Sequence, residues 1–308
     1  MRADHGAARA PSAARGRALV ALAAFFWGTS AALARFVFHT RQVPPLTVVE
    51  LRLLFSIAIL AAYLGWRQPA KLRVAARDLP YFMGLGLFGV AAIQGSYYYA
   101  ISTLGVGLAI LLQYLAPALI VLYDLARGAK VHPRLLAAVA GAAIGAGLVV
   151  GNIHPGSIHA RPIDWIVGFG SALVFAFYIV ASKRGLARYP PQTVLLYTFA
   201  IAGVFWAIVT PPWRIIQAGY DAPLWGMFAL LGVFSTLVPF SLFYSGLRFM
   251  PPSEVGIIAT LEPVVAVMAS ALFLGEGLTT LQWLGAAFVL TSAALASGPA
   301  DESLPTRS

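Results

Sequence analysis

Long runs of apolar residues dominate this sequence, and their length constrains the fold more than any other feature. A helix that crosses the hydrocarbon core of a membrane needs about 20 consecutive, mostly apolar residues. We predict ten such helices, at residues 18–38, 46–66, 79–101, 105–124, 133–151, 163–183, 192–210, 223–246, 253–274 and 280–297. The connections are short, and four of them contain a Pro-Pro pair. The sequence therefore predicts an all-α membrane protein with ten transmembrane helices.

The composition excludes most soluble and enzymatic classes. Apolar residues make up 60% of the chain and charged residues 10%, whereas soluble domains are about 45–50% apolar and about 25% charged. The chain has no cysteine, which removes disulfides, catalytic thiolates and cysteine-ligated zinc. The histidines fall in predicted tails or loops, so we expect no metal, haem or other cofactor. Without a paired-acid motif either, we predict that the chain is not an enzyme.

Basic residues are distributed unevenly between the two ends of the predicted helices. If the N-terminus is cytoplasmic, sixteen of the 21 Lys and Arg residues lie on the cytoplasmic side and four on the other. Cytoplasmic loops of inner-membrane proteins carry such an excess. We therefore predict a multi-pass protein of a bacterial-type inner membrane, embedded in the lipid bilayer, with both termini cytoplasmic. The net charge of +10 is spread over many short loops, so we expect no nucleic-acid partner.

The two halves of the sequence match at nearly constant spacing. The matched segments are 43–49 (VPPLTVV) with 189–195 (YPPQTVL), 115–117 (LAP) with 261–263 (LEP), and the Asp-x-Pro tripeptides at 78–80 and 221–223. Each half contains five predicted helices, an odd number, so the second half enters the membrane from the opposite side. Inverted repeats of this kind build many secondary transporters, which bind substrate near the membrane midplane.

The repeat defines the domain boundaries. We predict a disordered N-terminal tail at 1–16, a first five-helix repeat at 17–151, a second at 152–298 and a C-terminal tail at 299–308. The first apolar run, preceded by two arginines, also fits a cleaved signal peptide. The repeat requires that run as a helix, and we interpret it as one.

Several motifs resemble one family of transporters. They are the WG dipeptide within 24–29 (AFFWGT), the arginine motif at 51–54 (LRLL), and the pattern formed by 261–264 (LEPV), 274–276 (LGE) and 282–286 (QWLGA). On these grounds the chain resembles ten-helix drug/metabolite transporters with two EamA domains, and among them the YddG-like amino-acid exporters. The resemblance covers residues 18–298 and implies a secondary exporter of amino acids or similar small metabolites. The first half departs from the pattern, because Ala116 stands where Glu262 has its counterpart.

Charged residues inside the membrane are functional candidates, because such charges are costly unless they face protein or water. The candidates for coupling or ion pairing are Arg35, Glu50, Arg52 and Glu262. Arg35 and Glu50 can pair with each other, and Arg52 can serve either a structural pair or a substrate. Glu262 lies about 12–14 Å along its helix. It can carry a coupling proton, bind a substrate amino group or simply link two helices.

Aromatic and polar side chains near the same depth predict the substrate site. The predicted binding residues are Trp27, Ser30, Gln94, Tyr98, Gln113, Tyr178, Tyr244 and Glu262. Such mixed polarity suits zwitterions or neutral polar metabolites, whereas phosphate-bearing substrates need several buried Lys or Arg side chains. Tyr98 and its neighbours also fit an interfacial aromatic belt.

Two matched prolines predict hinges near this site. Pro117 and Pro263 each remove one backbone hydrogen bond within a predicted membrane helix, and such interruptions in corresponding segments mark transport sites. Plain kinks that serve packing are the alternative.

Three transport hypotheses remain open from sequence. The first is a secondary exporter that works by alternating access. The second is a multidrug or cation–proton antiporter that uses Glu262, and the third is a passive channel for small metabolites. A GxxxG motif at 141–145 predicts either close helix packing or a homodimer formed through peripheral helices.

Overall fold

The computed structural model describes residues 10–39, 41, 43–151, 160–274 and 278–297, and every regular element in those ranges is helical. The α-helices are α1 (Ala10–His39), α2 (Pro45–Arg67), α3 (Leu79–Gly84), α4 (Ala92–Leu104), α5 (Val106–Gln113), α6 (Ala116–Ala126), α7 (Pro133–Val150), α8 (Pro162–Leu186), α9 (Pro191–Val209), α10 (Pro212–Gln217), α11 (Ala222–Leu231), α12 (Val238–Leu247), α13 (Pro252–Ala259), α14 (Leu261–Leu274) and α15 (Thr280–Ala296). Short 3₁₀ turns at Pro69–Leu72 and Ala76–Asp78 follow α2.

Eight helical segments in the described part of the chain are long and apolar enough to cross a membrane. They begin at Pro45, Ala76, Gly107, Pro133, Pro162, Pro191, Ala222 and Pro252. The shorter apolar helix α15 has 17 residues, and α1, outside the eight, has 30 residues. The chain is thus an all-helical membrane protein.

The Pro-Pro pairs set where four helices begin. In each pair the first proline is the N-cap with extended backbone, and the second is the first residue of α2, α9, α10 or α13. A proline favours an extended residue before it. It is also well placed at the first helical position, because the N–H group it lacks would have no partner in the helix.

Helices from before residue 151 interlock with helices from after residue 160. Helix α7 packs along α15, α1 packs against α12 and α14, α2 packs against α9, and α4 packs against α8. The GxxxG motif of α7 lies in the contact between α7 and α15. A Cβ atom added at Gly145 would lie 2.8 Å from the Gly285 carbonyl oxygen, and one added at Gly285 would lie 2.6 Å from the Val149 nitrogen. This face of α7 is therefore occupied within the chain.

Gly285→Ala is expected to lower the free energy of unfolding by about 1–3 kcal/mol, the usual result of overpacking. The added methyl group would meet backbone atoms of α7, which cannot move aside independently. Thermal unfolding of the detergent-solubilised protein measures the effect. Gly170→Ala in α8 is the matched control, because among the described residues no atom outside the surrounding backbone of α8 lies within 4 Å of its added Cβ. Equal stability of the two variants would contradict this account of the contact.

Four helix interruptions occur at matched positions along the chain. Two segments form π-helix, Leu85–Ala91 between α3 and α4 and Gly232–Leu237 between α11 and α12. Their first residues lie 147 positions apart in the sequence, and their last residues lie 146 positions apart. The α-helical structure is also interrupted at 114–115, between α5 and α6, and at Thr260, between α13 and α14. Short π-helical segments inside α-helices are frequent at functional sites.

Candidate functional site

A cavity of about 130 Å³ lies where the interrupted helices meet. Its lining residues are Trp27, Arg52, Val90, Ile93, Gln94, Tyr97, Tyr98, Gln113, Tyr114, Phe175, Tyr178, Ser235, Phe240 and Glu262. Residues from both halves of the chain contribute. A protein cavity of about 150 Å³ holds one benzene molecule, so this cavity has room for one small ligand.

The structure brings together most of the residues that the sequence predicts. Trp27, Gln94, Tyr98, Gln113, Tyr178 and Glu262 all line the cavity, as does Arg52. Ser30 and Tyr244 do not. The Ser30 hydroxyl donates to the Trp27 carbonyl oxygen within α1, at 3.1 Å. Tyr244 is fully buried behind Tyr178, with ring centroids 5.7 Å apart, and its hydroxyl accepts a hydrogen bond from Ser182.

The acidic part of the cavity is formed by Glu262 and Tyr114. Glu262 lies in the first turn of α14, where the helix dipole favours a negative charge. The Tyr114 hydroxyl donates to Glu262 Oε2 over 2.6 Å. Among the described residues this is the only hydrogen bond to the carboxyl group, and a carboxylate offers about four acceptor positions. Most of its capacity therefore remains for a ligand.

The basic part of the cavity is formed by Arg52 on α2. Its terminal nitrogens make two long contacts, 3.4 Å to Ser235 Oγ and 3.5 Å to Gln94 Oε1. Its Nε atom is buried and has no hydrogen-bond partner, and no salt bridge to Arg52 is present within the described ranges. A guanidinium has five donors and binds a carboxylate through two parallel hydrogen bonds. Arg52 can therefore receive an anionic group.

Aromatic rings form part of the cavity wall. Trp27 packs edge-on against Phe240, with centroids 5.1 Å apart, and Phe175 stacks on Tyr178 at 6.3 Å. The lining residues outside the predicted set are Val90, Ile93, Tyr97, Tyr114, Phe175, Ser235 and Phe240. Phe240 could have been found, because it lies 146 residues after Gln94, the offset of the internal repeat.

Glu50 and the two predicted hinge prolines lie outside the cavity lining. Glu50 is fully buried, and within the described chain neither of its carboxyl oxygens has a hydrogen-bond partner. The side chain of Arg35, its predicted partner, lies outside the described residues. Pro117 and Pro263 each lie in the first turn of a second half-helix, α6 and α14. The helices are thus broken just before the prolines, not only bent at them.

An all-helical membrane protein with a cavity of mixed polarity between interrupted helices has the architecture of a small-molecule transporter. Comparison with known families identifies the group. The model of the EamA-like transporter family matches residues 14–151 and 164–298. The chain belongs to this family, which is part of the drug/metabolite transporter superfamily.

Individual relatives extend over almost the whole chain. The uncharacterized inner membrane transporter YicL of Salmonella typhimurium is 26% identical over 293 residues, covering 93% of this chain and 96% of YicL. The threonine/homoserine exporter RhtA of Escherichia coli is 28% identical over 279 residues, covering 89% of this chain and 88% of RhtA. A solved crystal structure has the same fold, with a TM-score of 0.74 at 20% identity and coverage of 91% and 96%. The chain is a multi-pass inner-membrane transporter and not an enzyme.

Proposed function

We propose that this transporter exports amino acids, or zwitterionic metabolites of similar size, by alternating access across the inner membrane. The observation that carries the proposal is the cavity of about 130 Å³ with Arg52 and Glu262 both on its lining. A buried charge is stable only when it is paired and hydrogen-bonded. A zwitterion would supply one partner to each of these two side chains. The similarity to the threonine/homoserine exporter RhtA favours the same substrate class.

The two charged side chains suggest how a substrate would be oriented. The Arg52 guanidinium would bind the α-carboxylate, together with Gln94 and Ser235, which already contact it. Glu262, held by Tyr114, would bind the ammonium group. The small volume favours amino acids with short side chains, and the aromatic wall would contact their apolar part.

We further propose ten membrane crossings in two inverted five-helix repeats, 17–151 and 152–298, with both termini cytoplasmic. The matched spacing of the π-helical segments and of the two breaks supports the repeat. Helix α15, with 17 residues, is within the range of lengths that can cross the hydrocarbon core. Membership of the YddG-like group and a homodimer through peripheral helices remain predictions. The GxxxG face of α7 is an unsuitable dimer surface, because it packs on α15.

Flux measurements in proteoliposomes test the proposal and separate it from its alternatives. We expect saturable flux of small neutral amino acids such as threonine, with mutual competition between them. A passive channel would give flux that neither saturates nor shows competition. A cation–proton antiporter would instead move amines in response to a pH gradient. Absence of saturable flux for every amino acid in the panel would refute amino-acid export.

The positions of Trp27 and Ser30 lead to opposite expectations for two neighbouring residues. Trp27→Ala is expected to weaken threonine binding at least about tenfold, because the indole forms part of the cavity wall and aromatic groups dominate such contacts. Ser30→Ala is expected to change affinity less than about twofold, since within the described part of the chain its hydroxyl bonds to α1 itself. Ligand-induced thermal stabilisation measures both affinities. A large effect of Ser30→Ala would mean that α1 is rotated from its position in this structure.

A further inference from the structure

Two Arg–Asp ion pairs connect the halves of the chain. Arg41 pairs with Asp221 at 2.5 Å, and Arg188 pairs with Asp78 at 3.2 Å. In each pair the arginine lies just before a Pro-Pro helix start, and the aspartate belongs to an Asp-x-Pro tripeptide. These are the motifs that recur in the two halves. The two ion pairs are therefore formed by corresponding elements, with the roles of the halves exchanged.

The pairs lie at opposite ends of the helix bundle. Arg41 precedes the start of α2, while Lys71 and Leu72 follow its end. Those two residues contact the beginning of α9, next to Arg188, because the Thr193 hydroxyl donates to the Lys71 carbonyl oxygen at 2.7 Å. Helix α2 has 23 residues, a length of about 35 Å at 1.5 Å per residue. This length matches a membrane, so one pair lies at each membrane face.

The Arg41–Asp221 pair is called the outer pair, because the proposed topology places it opposite the cytoplasmic face, and both of its side chains are partly exposed. The side chains of Arg41 and Asp221 are 30% and 52% exposed. Asp221 also caps α11, since its Oδ1 accepts a hydrogen bond from the Leu224 N–H at 3.0 Å. The hydrogen bond from Arg41, together with this cap, lowers the pKa of Asp221. The pair therefore remains charged at neutral pH.

The Arg188–Asp78 pair, called the inner pair, is reinforced by further hydrogen bonds. Asp78 is only 12% exposed, and its second oxygen accepts a hydrogen bond from the Tyr189 hydroxyl at 2.6 Å. The loop that precedes it is tied to α9 at Lys71 and at Leu72, whose carbonyl oxygen accepts a hydrogen bond from Tyr197. Exposed ion pairs contribute little to overall stability. They can nevertheless shift an equilibrium between two conformations of similar free energy.

We propose that these ion pairs are the two latches of alternating access, each holding one end of the transport path closed while the other end opens. The proposal rests on the proposed transport function. Both ion pairs are formed in this structure. Opening toward the Arg41 end breaks the Arg41–Asp221 pair, and opening toward the other end breaks the Arg188–Asp78 pair.

The absence of cysteine allows a direct test, because an introduced cysteine is the only thiol. Ile93→Cys places that thiol on the cavity lining, and a membrane-impermeant maleimide is added to one side of oriented proteoliposomes. In this background Asp221→Asn is expected to raise the labelling rate at least about tenfold from the Arg41 side only. Asp78→Asn is expected to raise it from the opposite side only. Asparagine keeps the N-cap function at position 221.

Controls separate latch function from folding. Arg214→Gln removes an exposed arginine on the neighbouring α10 and should leave both rates unchanged. Exchange of the outer charges, Arg41→Asp with Asp221→Arg, should restore slow labelling. A rise from both sides, or from neither, would overturn the proposal.

Labelling requires no substrate, so its outcome is independent of the substrate class. Side-specific labelling without amino-acid flux would refute the proposed substrate and keep the latches. Saturable amino-acid flux without side-specific labelling would refute the latches and keep the proposed substrate.

Discussion

Glu262→Gln is expected to weaken threonine binding by at least about 30-fold and to reduce flux in proportion. Glu262 is the only acid among the described residues that line the cavity. Removing one partner of a buried, hydrogen-bonded charge pair costs about 2–5 kcal/mol, and each 1.4 kcal/mol corresponds to a factor of ten. Competition with labelled threonine in proteoliposomes measures the change.

Matched variants distinguish binding from a structural effect of Glu262. Asp124→Asn neutralises an acid on α6 outside the cavity lining and should preserve affinity. Tyr114→Phe removes one hydrogen bond but keeps the carboxylate, so we expect a smaller loss than for Glu262→Gln. Wild-type affinity in Glu262→Gln would indicate a structural carboxyl group. Normal affinity with loss of the response to a pH gradient would instead favour the antiporter hypothesis.

Arg52→Gln is expected to change selectivity as well as affinity. Among the described residues the guanidinium makes two long contacts, so its main partner would be the substrate carboxylate. We expect threonine affinity to fall at least about 30-fold, by the same reasoning as for Glu262. The affinity for 1-amino-2-propanol, which is threonine without its carboxylate, should change little. Competition by both compounds against labelled threonine gives the ratio.

Further comparisons test whether Arg52 acts by binding the substrate carboxylate. Arg52→Lys keeps the charge but loses the planar fork, so an intermediate loss is expected. 3-Hydroxybutyrate lacks the amino group of threonine, and its affinity should respond to Arg52→Gln more than to Glu262→Gln. An equal loss for all three ligands in Arg52→Gln would mean that the arginine supports the cavity without contacting substrate.

The sequence predicted the all-helical membrane fold because the main cause of its helices is local. A long apolar run becomes a helix in a membrane, where every backbone polar group must find a partner within the protein. The second prolines of four Pro-Pro pairs begin helices for an equally local reason. The interruptions were predicted only in part. Pro117 and Pro263 indicated the two breaks, but no proline marks the π-helical segment Leu85–Ala91.

The residues of the candidate site were also predicted only in part from the sequence. Residue type and approximate depth were enough to select Glu262, Trp27 and Gln94. They also selected Ser30 and Tyr244, which the structure places outside the cavity lining. Tyr97, directly beside the predicted Tyr98, lines the cavity as well. The rotation of each helix decides which side chains face inward, and that rotation depends on the helices packed around it.

The sequence by itself determined that the chain is a helical membrane protein and where most of its helices begin, and it indicated which polar residues are candidates for the site. Each of these follows from hydrophobicity and backbone chemistry over a few consecutive residues. Only the tertiary structure decided that Arg52 and Glu262 line one cavity and that Arg41 meets Asp221. Both arrangements bring together residues about 180 or more positions apart, and they depend on the packing of helices from one half against helices from the other.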